Sequence, residues 1–337
     1  MDLLVAGGLE FKALTIFSFL FGVGVAIQGE RAASRNVRAR SFLVRRLAWL
    51  FILGAAHLFL VWNGDILTLY AVCGLLLVPS LGLPWPTLFV IGAAAIALPE
   101  VVWFGLPLPS GDAATAQIAQ ARQVYGNAGF LAILDFRWHE SRSLIAPLLI
   151  AILPRTTGLM YWGMAAWRSG ILREPERHRA KLIVALALGG LVGATVTVNE
   201  VWATSSGSAP WPALQAANFA GPLLLALAYV SGLLLWSRPR RASSLPGLAA
   251  AGRMALTNYL LQSIVLGFVF YGYGFGLFGR IGSAPAACIG LALYAAQLQL
   301  SLWWLRHYRF GPFEWLWRSL AYGQRQPIRH GRGAVAA

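Results

Sequence analysis

Apolar runs of about twenty residues recur along almost the whole 337-residue chain, each closed by a short polar or basic segment. That feature constrains the fold more than any other. A helix of about twenty residues matches the hydrocarbon thickness of a bilayer, whereas a membrane β-barrel needs strands of about ten residues with alternating polarity. The runs here are continuous, so the expected fold class is all-α, a polytopic transmembrane helical bundle. Composition agrees: 58% of residues are hydrophobic and 12% are charged, about half the charged share of a soluble domain.

The formal net charge of +15 would suggest nucleic acid if it were spread over a soluble surface. Instead the arginines fall in short clusters between apolar runs, the pattern of loops held on the cytoplasmic side. No nucleic-acid partner is expected; the lipid bilayer is. With the dense cluster from Arg31 to Arg46 placed in the cytoplasm, the chain predicts nine spans, at 11–28, 42–62, 66–81, 87–104, 144–167, 182–202, 214–236, 254–271 and 284–305. The later basic clusters at 168–181, 238–241 and 306–332 then return to the same side. The expected organisation is a transmembrane bundle over 1–305 with an outer loop at 105–143, then a cytoplasmic interfacial helix and basic tail over 306–337. Within the outer loop, alternating Ala and Gln around Ala114 to Val124 suggests a short surface helix. The first residues, Met1 to Gly8, lack the basic and apolar regions of a cleavable signal peptide. Both cysteines, Cys73 and Cys288, sit in apolar runs, which argues against a disulfide framework or a metal site.

Ionisable residues inside apolar spans are costly and therefore carry functional hypotheses. His57 lies about eleven residues beyond Arg46, or roughly 16 Å along a helix. A neutral imidazole at that depth suits general acid–base work; a histidine bonded to a neighbouring helix is the structural alternative. Asp65 follows an Asn63-Gly64 turn and either orients His57 or caps the next helix, where an acid is favoured. Arg155 follows Pro154 deep in the fifth run. It forms either a structural pair with Glu100, Glu140 or Glu200, or an anion site. Arg137 and Glu140, with His139 between them, precede that run and suit either substrate capture or interfacial anchoring. Asn258 and Gln262, four apart, share a helix face and either join helices, with Gln297 opposite, or bind substrate. Glu314 and Arg318 with the nearby tryptophans read as an interfacial anchor. Walker, GxGxxG, HExxH and GxSxG motifs are all missing from the sequence, which disfavours ATP-driven transport and hydrolase chemistry.

The stretch Gly252-Arg253-Met254-Ala255-Leu256-Thr257-Asn258-Tyr259-Leu260-Leu261-Gln262-Ser263, followed by Phe270-Tyr271-Gly272-Tyr273-Gly274 and closing with Gly311-Pro312-Phe313-Glu314-Trp315-Leu316-Trp317-Arg318, is distinctive. So are Leu20-Phe21-Gly22, the stretch from His57 to Asp65-Ile66-Leu67 with Tyr70, and Tyr125-Gly126 ahead of Arg137 and Glu140. Together they resemble the YeiB-like family of bacterial inner-membrane proteins, which carry domain of unknown function four-one-eight. The resemblance implies an inner-membrane location and one more helix, with an Arg-Gly pair, ahead of the first run. It also implies distant similarity to integral membrane acyltransferases that modify sugars, including the lysosomal glucosamine acetyltransferases. The function expected on that basis is transfer of an acyl group from a cytoplasmic donor, acyl-CoA, to a sugar or envelope glycan. His57 would be the base and Asp65 its catalytic companion. Arg137, Glu140, Arg155, Asn258 and Gln262 would bind substrate, and Arg45 and Arg46 would hold the acyl-CoA; no tightly bound cofactor is expected. The alternative is a non-enzymatic transporter or exporter of a small polar solute or lipid, with Pro154 as a hinge.

Overall fold

A computed structural model describes residues 12–34, 38–103, 111–143, 148–206, 220–236 and 245–330. Among these residues the fold is all-helical, with thirteen α-helices. In chain order they are α1 (Lys12–Ser34), α2 (Ala39–Leu60), α3 (Leu67–Leu77), α4 (Trp85–Trp103), α5 (Gly111–Asn127), α6 (Phe130–Ser143), α7 (Leu153–Arg168), α8 (Arg179–Ser206), α9 (Ala220–Trp236), α10 (Pro246–Arg253), α11 (Ala255–Phe270), α12 (Ser283–His307) and α13 (Pro312–Tyr322). The only strand-like pairing among the described residues is an isolated bridge between Tyr308 and Arg329.

Described helices occupy every predicted run, but they do not form nine long rods. By length and composition, α1, α2, α8 as far as Ala203, and α12 qualify singly as membrane spans; the pair α10 and α11, bent by 83°, is a fifth if counted as one. α3, α4 and α7 are interrupted or bounded by recognisable breaks. α3 passes into a 3₁₀ turn, Val78–Gly82, with Pro79 near its start. α4 carries Pro99 inside it, and a π-helical turn, Leu148–Ile152, precedes Pro154 in α7. Proline removes a backbone donor and crowds the preceding turn. The predicted surface helix is present as α5. Parts of several predicted segments lie outside the described residues: the start of the first, fifth and seventh runs, Arg35, the 238–241 cluster and Arg332.

The chain divides into two compact, interleaved units. Unit 1 takes residues 1–39, 76–98 and 154–244, and unit 2 takes 40–75, 99–153 and 245–337.

Unit 1 is packed through its glycines. A Cβ at Gly22 would strike the Met160 carbonyl, and one at Gly163 would strike the carbonyl of Phe19, so α1 and α7 touch backbone to backbone. Gly92 on α4 and Gly158 on α7 do the same, a Cβ on the latter coming within 2.6 Å of the Gly92 oxygen. Small residues at helix crossings give close van der Waals contact where lipid provides no hydrophobic drive. The outer face stays apolar: Val184, Leu188 and Leu191 on α8 are 55%, 58% and 68% exposed. Water would penalise such a surface; hydrocarbon does not.

Unit 2 contains α2, α5, α6 and α10 to α13, with the start of α3. Its helices are joined by polar bonds. Gln262 Nε2 donates to Gln297 Oε1 at 2.7 Å, Gln297 Nε2 to the Asn258 carbonyl at 2.9 Å, and Asn258 Nδ2 to Ser301 Oγ at 3.0 Å. Each links α11 to α12. At the start of α11, the Glu314 carboxylate accepts the Thr257 N–H at 3.0 Å and the Thr257 hydroxyl at 2.5 Å. It therefore caps α11, where the helix dipole favours an anion. α13 also docks on α2: Trp317 Nε1 donates to the Arg46 carbonyl at 2.8 Å, the Arg46 guanidinium lies 3.6 Å over the Trp317 ring, and Arg45 Nε donates to the Ala321 carbonyl.

Candidate functional site

The site is built where α2 ends. The amides of Val61 and Trp62 both donate to the His57 carbonyl at 2.9 Å, which closes the helix on that residue. The Asn63-Gly64-Asp65 turn then reverses the chain into α3. Asp65 Oδ2 accepts the Thr68 N–H at 2.7 Å, the capping bond expected of an acid ahead of a helix. Its other oxygen, Oδ1, lies 2.8 Å from His57 Nδ1. Asp65 thus does both things the sequence suggested, one with each oxygen. The two side chains are 1% and 0% exposed.

This geometry sets the tautomer. An ionised carboxylate only accepts, so Nδ1 carries the hydrogen and Nε2 keeps a lone pair. His57 Nε2 has no hydrogen-bond partner among the described residues. Tyr259, inside the distinctive α11 stretch, completes the surround: its ring lies 5.0 Å from the imidazole, and its hydroxyl lies 3.4 Å from Asp65 Oδ1 and accepts the Ile66 N–H at 3.2 Å.

Next to the turn sits a second cluster. Arg137 on α6 is 0% exposed. The sequence suggested a surface loop; the structure buries the residue on a helix. The reason is aromatic, since the guanidinium lies 4.8 Å from the Tyr271 ring and 5.9 Å from that of Tyr125, and a delocalised cation is stabilised over such faces. Its Nη1 donates to the Leu60 carbonyl at 3.4 Å, while Nε and Nη2 lack hydrogen-bond partners among the described residues. Glu140, one turn on, accepts from Asn63 Nδ2 and from the Tyr125 hydroxyl, both at 2.5 Å. Burial pushes the Tyr125 phenol well above its ordinary value, and its bond to the Glu140 carboxylate adds to the shift. Gly272 lets the segment after α11 press on the end of α5: an added Cβ would meet the Asn127 carbonyl carbon at 2.6 Å, and the Gly272 N–H donates to the Tyr125 carbonyl at 2.8 Å. His139, by contrast, is exposed and pairs with Asp135 at 3.7 Å, a surface contact of little energetic weight.

Buried polar atoms without partners collect here. Within unit 2, those among the described residues are His57 Nε2, Thr68 Oγ1, Arg137 Nε and Nη2, and Ser141 Oγ. All belong to the end of α2, the start of α3, or α6. Buried polar atoms in a native protein are normally bonded, and exceptions point to strain, water, ions or function.

The structure therefore brings together His57, Asp65, Arg137 and Glu140. Arg155 belongs to unit 1, on α7, and the side chains of Glu100 and Glu200 lie outside the described residues. Asn258 and Gln262 have their amides engaged between α11 and α12, and Arg45 and Arg46 lie against α13. Sequence reasoning did not single out Tyr259, Tyr125 or Tyr271. Their signal was present in the Asn-Tyr, Tyr-Gly and Phe-Tyr-Gly-Tyr-Gly strings, but aromatic residues are too common in apolar helices to stand out alone.

Helices with apolar outer faces, packed through glycines and a few interhelical amide bonds, define a helical membrane protein. This chain belongs to the YeiB-like family: the model described as "Protein of unknown function (DUF418)" matches residues 166–324. It is 34% identical to the uncharacterized protein YxaH of Bacillus subtilis (strain 168), over 95% of this chain and 81% of that one. It is 29% identical to an uncharacterized 39.9 kDa protein from the amylase 3′ region of Bacillus acidopullulyticus, over 95% and 82%. It is 28% identical to the uncharacterized protein YeiB of Escherichia coli (strain K12), over 92% and 82%. No solved structure matches it.

Proposed function

We propose that this chain is a bacterial inner-membrane acyltransferase, with its C-terminus in the cytoplasm, that moves an acyl group from acyl-CoA to a hydroxyl or amine of a sugar or envelope glycan. One observation carries the reading: His57 is a buried imidazole whose Nδ1 is held by Asp65 at 2.8 Å while Nε2 has no partner among the described residues. That is the arrangement of a general base oriented by a carboxylate. His57 Nε2 takes the proton of the acceptor as its oxygen or nitrogen attacks the thioester carbonyl. The carbon–sulfur bond then breaks, and the departing thiolate receives that proton from the imidazolium. Asp65 stabilises the imidazolium throughout. Arg137 and Glu140 bind the acceptor, with Arg137 Nε and Nη2, which lack hydrogen-bond partners among the described residues, meeting its oxygens. Arg45 and Arg46 serve the donor side, while Asn258 and Gln262, bonded to α12, hold the helix that carries Tyr259.

The second reading is a non-enzymatic carrier of a small polar solute or lipid. It draws on the π-helical turn at Leu148–Ile152 beside Pro154, since such turns and prolines are where helices bend. The test is transfer of label from radiolabelled acetyl-CoA into membrane glycan, in cells lacking the protein and complemented with wild type or His57→Ala. Label incorporated by wild type and lost in the variant supports acyl transfer. Equal label in both, or none above the deletion background, rejects His57 catalysis and leaves the carrier.

A further inference from the structure

Unit 1 holds a cavity of about 530 Å³, walled by α1, α4, α7, α8 and α9 and by the Ser169–Leu172 turn. Its lining is apolar apart from a few hydroxyls, and most of its polar atoms are already used. The Trp162 indole, stacked on Phe89 with centroids 5.5 Å apart, donates to the Phe89 carbonyl at 3.1 Å. Ser169 Oγ donates to the Ala166 carbonyl at 3.0 Å. Ser231 differs: it is 1% exposed and its hydroxyl has no partner among the described residues. A serine or threonine inside a helix can bond back to the carbonyl four residues earlier, as Ser18 and Thr195 do here, whereas Thr157, Thr197 and Ser231 have no partner among the described residues. Ser231 leaves its hydroxyl for something else.

Water is a poor occupant, because a bound water needs two to four polar partners and the cavity walls provide few. A chain of methylenes carrying one hydrogen-bond acceptor fits both the walls and the single free hydroxyl. The route in is apolar as well: Phe89 and Leu227, which line the cavity, are 50% and 48% exposed, and two of its walls, α1 and α8, are span-length apolar helices.

The cavity end formed by Ser169, Leu172, Leu182 and Leu234 adjoins a basic stretch. There Arg173 pairs with Glu30 at 2.6 Å, Arg177 pairs with Glu174 at 3.5 Å, and Arg168 donates to the Leu81 and Leu83 carbonyls. Exposed Arg179 and Lys181 form no ion pair among the described residues, and Glu176 is the remaining acid of the stretch. Arg179 lies three residues before Leu182, on the same helix face. Ser231 lies three residues before Leu234, about 4.5 Å deeper along α9. The polar features are therefore ordered: cations outside, one hydroxyl about a turn inside, apolar space beyond.

We propose that this cavity holds an acyl chain of an anionic bilayer phospholipid, with the ester carbonyl accepting from Ser231 Oγ and the phosphate at Arg179. The site stands on unit 1 alone and does not depend on acyl transfer at His57.

The experiment uses the full chain purified in detergent. Co-purified lipids are identified by mass spectrometry, and the protein is reconstituted with phosphatidylglycerol or phosphatidylcholine brominated on the acyl chains. Quenching at the site is read as wild type minus Trp162→Phe. Wild type is expected to retain phosphatidylglycerol, and the brominated form is expected to quench the Trp162 component more than phosphatidylcholine does. Ala226→Phe, which fills the cavity, lowers retention about tenfold or more, since loss of two buried methylenes already corresponds to roughly that factor. Ser231→Ala, a change that leaves the wall apolar and the fold undisturbed, lowers it about threefold to tenfold. Arg179→Gln removes the headgroup preference. Retention unchanged in both Ala226→Phe and Ser231→Ala, a Trp162 component that bromine does not quench, or retention of a free fatty acid or acyl-CoA in place of phospholipid would overturn the proposal.

Discussion

Asp65→Asn separates the two jobs of one side chain. An asparagine keeps an oxygen for the Thr68 N–H and caps a helix about as well as aspartate, so α3 should hold. What it loses is the acceptor-only carboxylate on His57 Nδ1. An amide can present its own N–H to the ring, and the proton then moves to Nε2, where the base must be free. In the serine-protease template, the equivalent change leaves the geometry intact and lowers turnover about 10⁴-fold, which is about 5.4 kcal/mol of transition-state stabilisation at 1.36 kcal/mol per decade. Asp65→Ala should behave differently. It removes a cap worth about 1 kcal/mol and leaves a buried Nδ1–H unpaired at a cost of about 1–3 kcal/mol, for a total stability loss of about 2–4 kcal/mol. The assay is label transfer from acetyl-CoA per folded protein, with thermal unfolding in detergent measured on the same samples. The expected pattern is Asn inactive with nearly wild-type Tm, and Ala inactive with a lowered Tm. An Asp65→Asn protein that transfers label at the wild-type rate, or activity that merely tracks the folded fraction, refutes the argument.

Three further predictions concern structure. In a double-mutant cycle of Gln262→Ala and Gln297→Ala, the coupling should be about 0.6 kcal/mol, the average for interhelical hydrogen bonds in a membrane bundle; no measurable coupling would remove their bond from the stabilising set. Gly163→Val should cost about 1–3 kcal/mol by forcing α7 off the Phe19 backbone, whereas Gly232→Val, whose added Cβ meets only Leu186 Cδ1 at 3.4 Å, should be close to neutral, so equal Tm losses would count against glycine-mediated packing. Because the folded state holds the Tyr125 phenol above its ordinary value of about 10, the associated stability is present below that pH and lost as pH rises past it. Wild-type Tm should therefore fall more steeply above pH 10 than that of Tyr125→Phe, and parallel curves would contradict the burial of that phenol beside Glu140.

Helix type and membrane class were legible in the sequence because they depend on local composition: an apolar run of this length has few other stable forms in lipid. The family was legible too, since its signature strings are contiguous. His57 and Asp65 stood out because charge within an apolar run is rare, and the turn between them is short. The amide pairing across α11 and α12 was largely legible: the four-residue spacing showed a shared face with Gln297 opposite, but only the fold added Ser301 as the partner of Asn258. Tertiary structure alone decided the rest. Arg137 looks like a surface charge in the chain, yet it is buried because Tyr125 from the preceding helix and Tyr271 from a distant segment close over it. Arg45 and Arg46 meet α13 only because the C-terminal helix folds back on α2. The Arg137–Tyr271 contact and those of Arg45 and Arg46 with α13 join positions more than a hundred residues apart, and no local pattern encodes which distant aromatic ring will cover a given cation.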